Sequence, residues 1–188
     1  MMNLKRNFIA IIVAGGFTAG LASGALAAVG DTDVTVILED AASTSCQAAF
    51  TEGTFDLGTW TWDPEADLYV LDAGSSSSDT GVVDVTVGRT GAAIGNEGGD
   101  LISCQVDLTL EAPSNGAITI ALANFSAEVS MSPLTGTSTT VPANGVLGSE
   151  TLTDDGTINV GLQLSNPGNI PSGTYTGSIT VLAADQTP

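Results

Sequence analysis

The sequence predicts an all-β protein, a single β-sandwich. Short runs of valine, isoleucine, threonine and leucine recur after residue 27, and several alternate apolar with polar residues at the two-residue period of a strand. Glycine, asparagine, aspartate, serine and proline separate these runs at intervals typical of sandwich turns. No stretch of this region carries apolar residues at helical spacing. These patterns favour packed sheets over a helical or mixed fold.

Residues 1–27 have the composition of a secretory signal peptide. Lys5 and Arg6 form a basic start, residues 8–26 are apolar or small, and Ala25-Leu26-Ala27 is an A-x-A cleavage site. We therefore expect an exported protein whose mature chain begins at Ala28 and, at about 160 residues, forms one domain. No later stretch resembles a transmembrane helix, so we expect no membrane insertion after signal cleavage.

The first strand of the mature chain is predicted in residues 31–40. Val34, Val36 and Leu38 occupy every second position, so they share one face of the strand. No turn residue follows that would fold the segment straight back as a hairpin. A strand near a free end must satisfy its ladder groups by pairing, either within its own domain or with the next copy of the protein. Both pairings are compatible with the sequence at this point.

The remaining strands follow from the same alternation and from the turn residues between them. Asp63-Pro64 and the clusters at 113–116 and 166–168 are such turn signals. The predicted strands are 32–39, 45–51, 55–62, 68–71, 81–87, 101–110, 117–123, 127–131, 148–152, 157–164 and 175–182. Stretch 136–145 is rich in threonine and serine and suits a short edge strand. No linker-like stretch divides the chain, so we expect one folded unit. Within it, residues 28–40 are the predicted N-terminal strand and residues 41–188 the predicted sandwich.

Charge and composition restrict the function. The formal net charge is −18, and all 21 acidic residues follow residue 27, where Arg89 is the one cation. Nucleic acid and anionic membrane would repel such a chain, and we expect neither as a partner. The mature chain has no histidine or lysine, which excludes Cys/His zinc sites in practice and leaves few groups for acid–base catalysis. We expect no enzymatic activity and no cofactor.

Cys46 and Cys104 are the two cysteines of the chain. In an exported protein a lone pair of cysteines predicts one intramolecular disulfide, with free or intermolecular thiols as the alternative. Closing a loop of about 60 residues stabilises a fold by roughly 4 kcal/mol in the chain-entropy model.

Two clusters are candidate ligand sites. Trp60 and Trp62 face one side of a strand, where a pair of aromatic rings either stacks on a sugar or lines the core. Asp63, Glu65 and Asp67 alternate in D-P-E-A-D, and their oxygens are the kind that bind calcium. That segment lacks the glycine and ligand spacing of a calcium loop, so a solvated acidic face is the other interpretation.

The order of these motifs resembles the subunits of chaperone–usher pili, nearest the archaic branch that includes spore coat protein U-like domains. The alternating strand 31–40 is followed by Cys46 and then by F-x-L-G-T-W at 55–60. Cys104 opens a strand in mid-chain, and P-S-G-T-Y-T-G-S-I-T-V at 171–181 is similar to the final strand of the family. The resemblance spans most of the mature chain, although each motif is short.

The resemblance implies a single immunoglobulin-like β-sandwich that lacks one strand and is completed by a donor strand from a neighbouring subunit. Val34, Val36 and Leu38 would then fill the neighbour's groove, with Val29 at its entrance. The implied protein is a subunit of a cell-surface pilus or fimbria, reached through the periplasm in a Gram-negative host. Its partners would be copies of itself, a periplasmic chaperone and an outer-membrane usher. The alternative is a monomeric secreted or surface-layer sandwich that binds glycan or calcium.

Overall fold

The computed structural model describes residues 30–41, 46–90, 100–101, 103–130 and 139–186. The predicted signal peptide 1–27 and Val29 lie outside these residues. Within them the regular structure is β-strand, apart from one short 3₁₀ helix at Leu122–Asn124. The strands of this described part are β1 (Asp31–Ala41), β2 (Cys46–Phe50), β3 (Thr54–Asp63), β4 (Leu68–Leu71), β5 (Ser78–Val87), β6 (Arg89–Thr90), β7 (Asp100–Leu101), β8 (Ser103–Ser114), β9 (Phe125–Ser130), β10 (Thr139–Thr140), β11 (Val146–Leu152), β12 (Gly156–Leu164) and β13 (Gly173–Gln186).

Two sheets form the sandwich. The larger sheet has the strand order β11-β8-β13-β1-β3-β4, and the smaller has the order β10-β9-β12-β5-β2. Strands β6 and β7 form a separate two-stranded ribbon. Every pairing is antiparallel except that of β1 with β13, which is parallel. The all-β sandwich prediction is confirmed, and the arrangement is consistent with an immunoglobulin-like fold.

The core lies between the inner faces of the two sheets, as the two-residue period requires. In β12, Ile158, Val160, Leu162 and Leu164 are buried and the residues between them face outwards. The same alternation places Val106, Leu108 and Leu110 of β8 on the facing sheet inside. Burial of aliphatic side chains of this size stabilises the fold by roughly 1.5–3 kcal/mol each.

Glycine permits a bulge beside β1. The register between β1 and β3 shifts between Asp33 and Thr35, and Gly58 of β3 lies opposite this shift with φ +85°. Non-glycine residues rarely adopt this left-handed conformation, and a Cβ on Gly58 would also come within 2.8 Å of the Ser76 carbonyl oxygen. Gly58, the glycine of the F-x-L-G-T-W motif, therefore lies in the part of β3 that borders β1.

A tyrosine anchors the start of the last strand. The Tyr175 hydroxyl donates to the carbonyl of Pro171, four residues upstream, at 2.8 Å, and accepts a bond from Asn115 Nδ2 at 3.2 Å. A tyrosine bonded to backbone a few residues upstream is a corner typical of immunoglobulin-like sandwiches. Burial raises the pKa of the Tyr175 hydroxyl, and the neighbouring Tyr69 raises that pKa further.

The predicted strand at 117–123 is wrong. In its place the chain makes a tight turn in which Asn115 Oδ1 accepts the backbone N–H groups of Ala117 and Ile118. A single bridge, Ser114 with Thr119, and a bond from Ile120 N to the Pro113 carbonyl close the turn on the end of β8. Ile120 is buried but Ile118 is 39 % exposed, and the chain passes from this turn into the 3₁₀ helix Leu122–Asn124, so the segment does not stay extended as a strand.

Other differences concern strand ends. Strands β5, β8 and β13 are longer than predicted, and β13 runs to Gln186 because β8 pairs with it along most of its length. The short edge strand expected within 136–145 is β10, at Thr139–Thr140.

Candidate functional site

Strand β1 is an interior strand of the larger sheet. It runs parallel to β13 from the pair Thr32–Gly173 to the pair Ala41–Leu182. On its other side it runs antiparallel to β3, with Asp31 opposite Thr61. Both of its edges are therefore hydrogen-bonded within the same chain, and β1 lies in the sheet between the last described strand, β13, and β3.

The inner face of β1 consists of the residues that the alternation predicts. Val34 and Val36 are 0 % exposed and Leu38 is 9 % exposed, all three within the core. In this single chain they fill the chain's own sandwich, so their insertion into a neighbouring subunit stays a prediction. Without β1, the inner edges of β13 and β3 would bound an apolar groove one strand wide.

The floor of this groove is shaped by a glycine that sequence reasoning did not single out. A Cβ on Gly81 of β5 would lie 2.7 Å from the ring of Phe55 and 3.9 Å from Leu38. A distance of 2.7 Å is shorter than carbon–carbon contact, so Gly81 provides the space in which Phe55 packs under β1. Only the folded structure brings β5 against β3 and β1, and no local sequence signal marks this glycine.

A fourth residue of the inner face was also missed. Thr32 continues the two-residue period towards the N-terminus and is fully buried, and its hydroxyl Oγ1 has no hydrogen-bond partner. Among the residues that the structure describes, it is the one buried side-chain polar atom in this state. Burying a hydroxyl without a partner costs about 1–3 kcal/mol, so this end of β1 is not optimally matched to its surroundings.

The outer face of β1 is polar. The Thr59 hydroxyl donates to Asp33 Oδ1 at 2.7 Å, and the Thr61 hydroxyl lies 3.1 Å from Asp31 Oδ1 and 2.5 Å from Asp72 Oδ1. These bonds are exposed to solvent, where each contributes little to stability. The apolar inner face, together with the backbone ladders on both edges, therefore holds β1 in place.

The disulfide prediction is confirmed. Cys46 of β2 and Cys104 of β8 are bonded, with their Cα atoms 5.8 Å apart, and both are fully buried. Because β2 belongs to the smaller sheet and β8 to the larger, the bridge connects the two layers. The bridge lies at the end of the sandwich where β1 finishes. Ala41 pairs with Leu182 of β13, and Cys104 pairs with Asp185, three residues further along the same strand.

The two tryptophans belong to the core rather than to a sugar-binding surface. Trp60 is 4 % exposed and donates its indole N–H to the Leu57 carbonyl at 3.0 Å. Trp62 is 9 % exposed and meets Tyr69 edge-on, with ring centroids 5.2 Å apart. A ring that is buried in this way has no free face for a sugar, which corrects the glycan-stacking interpretation of Trp60 and Trp62.

The acidic segment forms a turn. Asp63 Oδ1 accepts the backbone N–H groups of Glu65 and Ala66, and Asp67 adopts the left-handed conformation with φ 55°. Asp63, Glu65 and Asp67 do not converge, and no group of three metal-ligating side chains occurs in the described part of the chain. The arrangement is that of a solvent-exposed Asx turn, so nothing in it favours calcium as a ligand.

Comparison of the chain with protein-family models finds no matching model, and comparison with curated proteins finds no matching protein. Among the described residues, no helix has the length and apolar character needed to cross a membrane. Strand β1 and the groove that it fills are the features of the described structure that bear on function.

Proposed function

We propose that this protein is a structural subunit of an extracellular fibre in which β1 of one copy occupies the groove of the next. The observation that supports this is the position of β1. It is the first strand of the predicted mature chain, yet it lies in the interior of a sheet, between β13 and β3. A terminal segment with this placement can be exchanged between copies while the rest of each sandwich keeps its own contacts.

The contacts of β1 are strong enough to hold subunits together. Burial of Val34, Val36 and Leu38 is worth roughly 1.5–3 kcal/mol each, and two backbone ladders add to that. An exchanged strand would make equivalent contacts with its neighbour. Exchange would therefore alter which copy each β1 binds and would change the free energy of its contacts little. Such an assembly should dissociate slowly, because the whole strand must leave at once.

Export through the periplasm would require the groove to be filled until assembly. A subunit whose β1 has left its place would expose an apolar cleft and unpaired strand edges, both of which promote aggregation. A dedicated chaperone and an outer-membrane usher are the partners that this proposal needs, and the fibre would be displayed at the cell surface.

Electron microscopy of the purified mature protein, beside a variant that lacks residues 28–39, tests the proposal. We expect filaments from the full mature chain and none from the truncated variant. A synthetic peptide of residues 31–41, added to the truncated variant, should restore a folded monomer without restoring filaments. Monomers from the full chain under all conditions would contradict the fibre function.

A second candidate function is a monomeric secreted or surface-layer sandwich. One observation favours it, because both edges of β1 are already satisfied within its own chain. With Trp60 and Trp62 in the core, this protein would need another surface for a ligand. Sedimentation that stays monomeric over a hundredfold range of concentration would support it.

A further inference from the structure

The outer face of the smaller sheet has a recess at its middle strand. Strand β12 lies between β9 and β5. Val160 and Leu162 point into the core, so Gly161 between them faces outwards. Gly161 pairs with Glu128 of β9 on one side and with Thr80 of β5 on the other. Because glycine has no side chain, the sheet has a recess of about 120 Å³ at this point, which we call the glycine recess.

Five polar side chains line the glycine recess. They are Ser126 and Glu128 of β9, Gln163 of β12, and Ser78 and Thr80 of β5. Together they supply three hydroxyl groups, one amide and one carboxylate. None of the five side chains makes a hydrogen bond within the part of the chain that the structure describes. Their hydrogen-bonding capacity is therefore available to solvent or to a ligand.

Polar side chains on the outer face of the larger sheet differ in this respect, because neighbours there bond to one another. The Thr59 hydroxyl of β3, for example, donates to Asp33 Oδ1 of β1 at 2.7 Å. Across the glycine recess such a bond cannot form, since Glu128 and Thr80 belong to strands that are about 9.5 Å apart. A single pyranose ring that makes one hydrogen bond on each side spans a gap of this width.

Backbone conformation does not explain the glycine at this position. Gly161 lacks the positive φ that requires glycine at Gly58 and at Gly145. A glycine inside a strand weakens the strand, and it often marks a point where a ligand or another backbone approaches closely. Strand β12 is already paired on both edges, so such an approach is from above the face of the sheet.

We propose that the glycine recess binds one neutral monosaccharide unit of a glycan. Each sugar hydroxyl both donates and accepts hydrogen bonds, as do the hydroxyls and the amide of the recess, and the Glu128 carboxylate accepts from sugar hydroxyls. The volume is below the roughly 300–1,000 Å³ of pockets for drug-sized ligands, so the recess holds one ring. The site lies on the sheet opposite β1 and does not rest on the fibre function.

Charge restricts the ligand to a neutral sugar. Glu128 lines the recess, and so does Asp79, whose carboxylate accepts the backbone N–H groups of Asp56 and Thr80. No residue that lines the recess in the described structure is a cation. Uronic acids, sialic acids and phosphorylated or sulfated sugars would therefore be repelled.

Saturation-transfer NMR on the mature protein tests the site and is suited to monomers and filaments alike. The probes are the methyl glycosides of glucose, galactose, mannose, fucose and N-acetylglucosamine at millimolar concentration, with methyl glucuronide as the anionic comparison. We expect a saturable signal from at least one neutral glycoside and none from the glucuronide.

Two substitutions in the recess have matched controls on the same face of the sheet. Gly161→Val fills the recess and should abolish the signal, whereas Ala49→Val adds bulk to β2 outside the recess and should not. Glu128→Gln should weaken binding by about tenfold, because bonds to a charged acceptor become bonds to a neutral one. Asp84→Asn removes a carboxylate of β5 outside the recess and should leave the affinity unchanged.

The absence of a signal from every neutral glycoside would overturn the proposal. Binding that persists in a folded Gly161→Val variant would place the sugar elsewhere and overturn it too. If circular dichroism shows that Gly161→Val does not fold, the comparison of Glu128→Gln with Asp84→Asn decides, and equal affinities would overturn the site. A glucuronide signal as strong as that of the neutral sugars would overturn the restriction to neutral ligands.

Discussion

At the scale of single residues, the inner face of β1 consists of three apolar side chains and one buried hydroxyl without a hydrogen-bond partner. Val34 and Val36 are fully buried and make no demand for hydrogen bonds. Thr32 lies on the same face and is buried as deeply, but its hydroxyl has no partner. A polar atom of this kind is costly in a native core, so Thr32 is the residue of the strand where substitution should improve the monomer.

Thr32→Val should stabilise the monomer by about 1 kcal/mol, because the substitution keeps the branched shape and removes an unsatisfied hydroxyl. Urea denaturation monitored by tryptophan fluorescence measures the change. Thr35→Val on the outer face of β1 is the matched control and should alter stability by less than about 0.5 kcal/mol. A less stable Thr32→Val variant would mean that the hydroxyl has a partner in solution.

Tyr175 should make the protein sensitive to alkali. Burial and the neighbouring Tyr69 raise its pKa in the folded state above the usual value of about 10 for tyrosine, so the unfolded chain loses the proton first. The stability that the protonated hydroxyl contributes is complete below pH 10 and is lost as the pH rises from there towards the folded-state pKa.

Tyr175→Phe should therefore flatten the decline of stability above pH 10, although it lowers stability at neutral pH by about 1 kcal/mol through loss of the bond to Pro171. Denaturation midpoints between pH 8 and about 11.5 compare the two proteins. Parallel curves for wild type and variant over this range would contradict the predicted role of Tyr175.

At the scale of the strand, burial separates the two faces of β1. Val36 is fully buried, whereas its neighbour Ile37 is 42 % exposed on the outer face. The strand is held by its inner side chains and by backbone bonds on both edges, and the outer hydrogen bonds to Thr59 and Thr61 are peripheral. Substitutions on the two faces should therefore have different consequences for assembly.

Val36→Asp should abolish filaments, because a carboxylate in the groove is neither paired nor solvated. The substitution leaves β13 and β3, which bound the groove, unchanged. The wild-type peptide of residues 31–41 should therefore bind the variant and restore its stability. Ile37→Asp is the matched control and should assemble. Normal filaments from Val36→Asp, seen by electron microscopy, would exclude β1 as the link between subunits.

At the scale of the whole molecule, the disulfide joins the two sheets next to the end at which β1 finishes. It closes a loop with a sequence separation of 58, and both sulfur atoms lie in the core. A covalent connection there keeps β2 and β8 together even when β1 is absent from the groove. The sandwich would thus survive the exchange of its first strand.

Replacement of both cysteines by serine should destabilise the monomer by roughly 4 kcal/mol, as expected for the closure of a loop of this length. Thermal unfolding of the oxidised wild type, the reduced wild type and the double variant measures the effect. We expect the reduced protein to resemble the double variant. An equal melting temperature for oxidised and reduced protein would contradict this role of the bridge.

The local sequence pattern was sufficient to predict most of the strands. The inward residues of β1, the bounds of β4 and the Cys46–Cys104 pair follow from alternation, turn residues and cysteine count. The same rules failed at 117–123, where the turn at Asn115 and the 3₁₀ helix Leu122–Asn124 take the backbone out of the extended conformation. They also misjudged how far β8 and β13 extend, because pairing between distant strands sets that length.

The sequence by itself determined the fold class, the disulfide and the apolar face of the first strand, since each depends on residue type and spacing along the chain. Tertiary structure alone decided the partners of β1, the space that Gly81 leaves for Phe55, and the burial of Trp60 and Trp62. The physical reason is that a strand carries its own periodicity but not the identity of its neighbours. Contacts between segments far apart in sequence select that identity, and at β1 they place the first and last strands side by side.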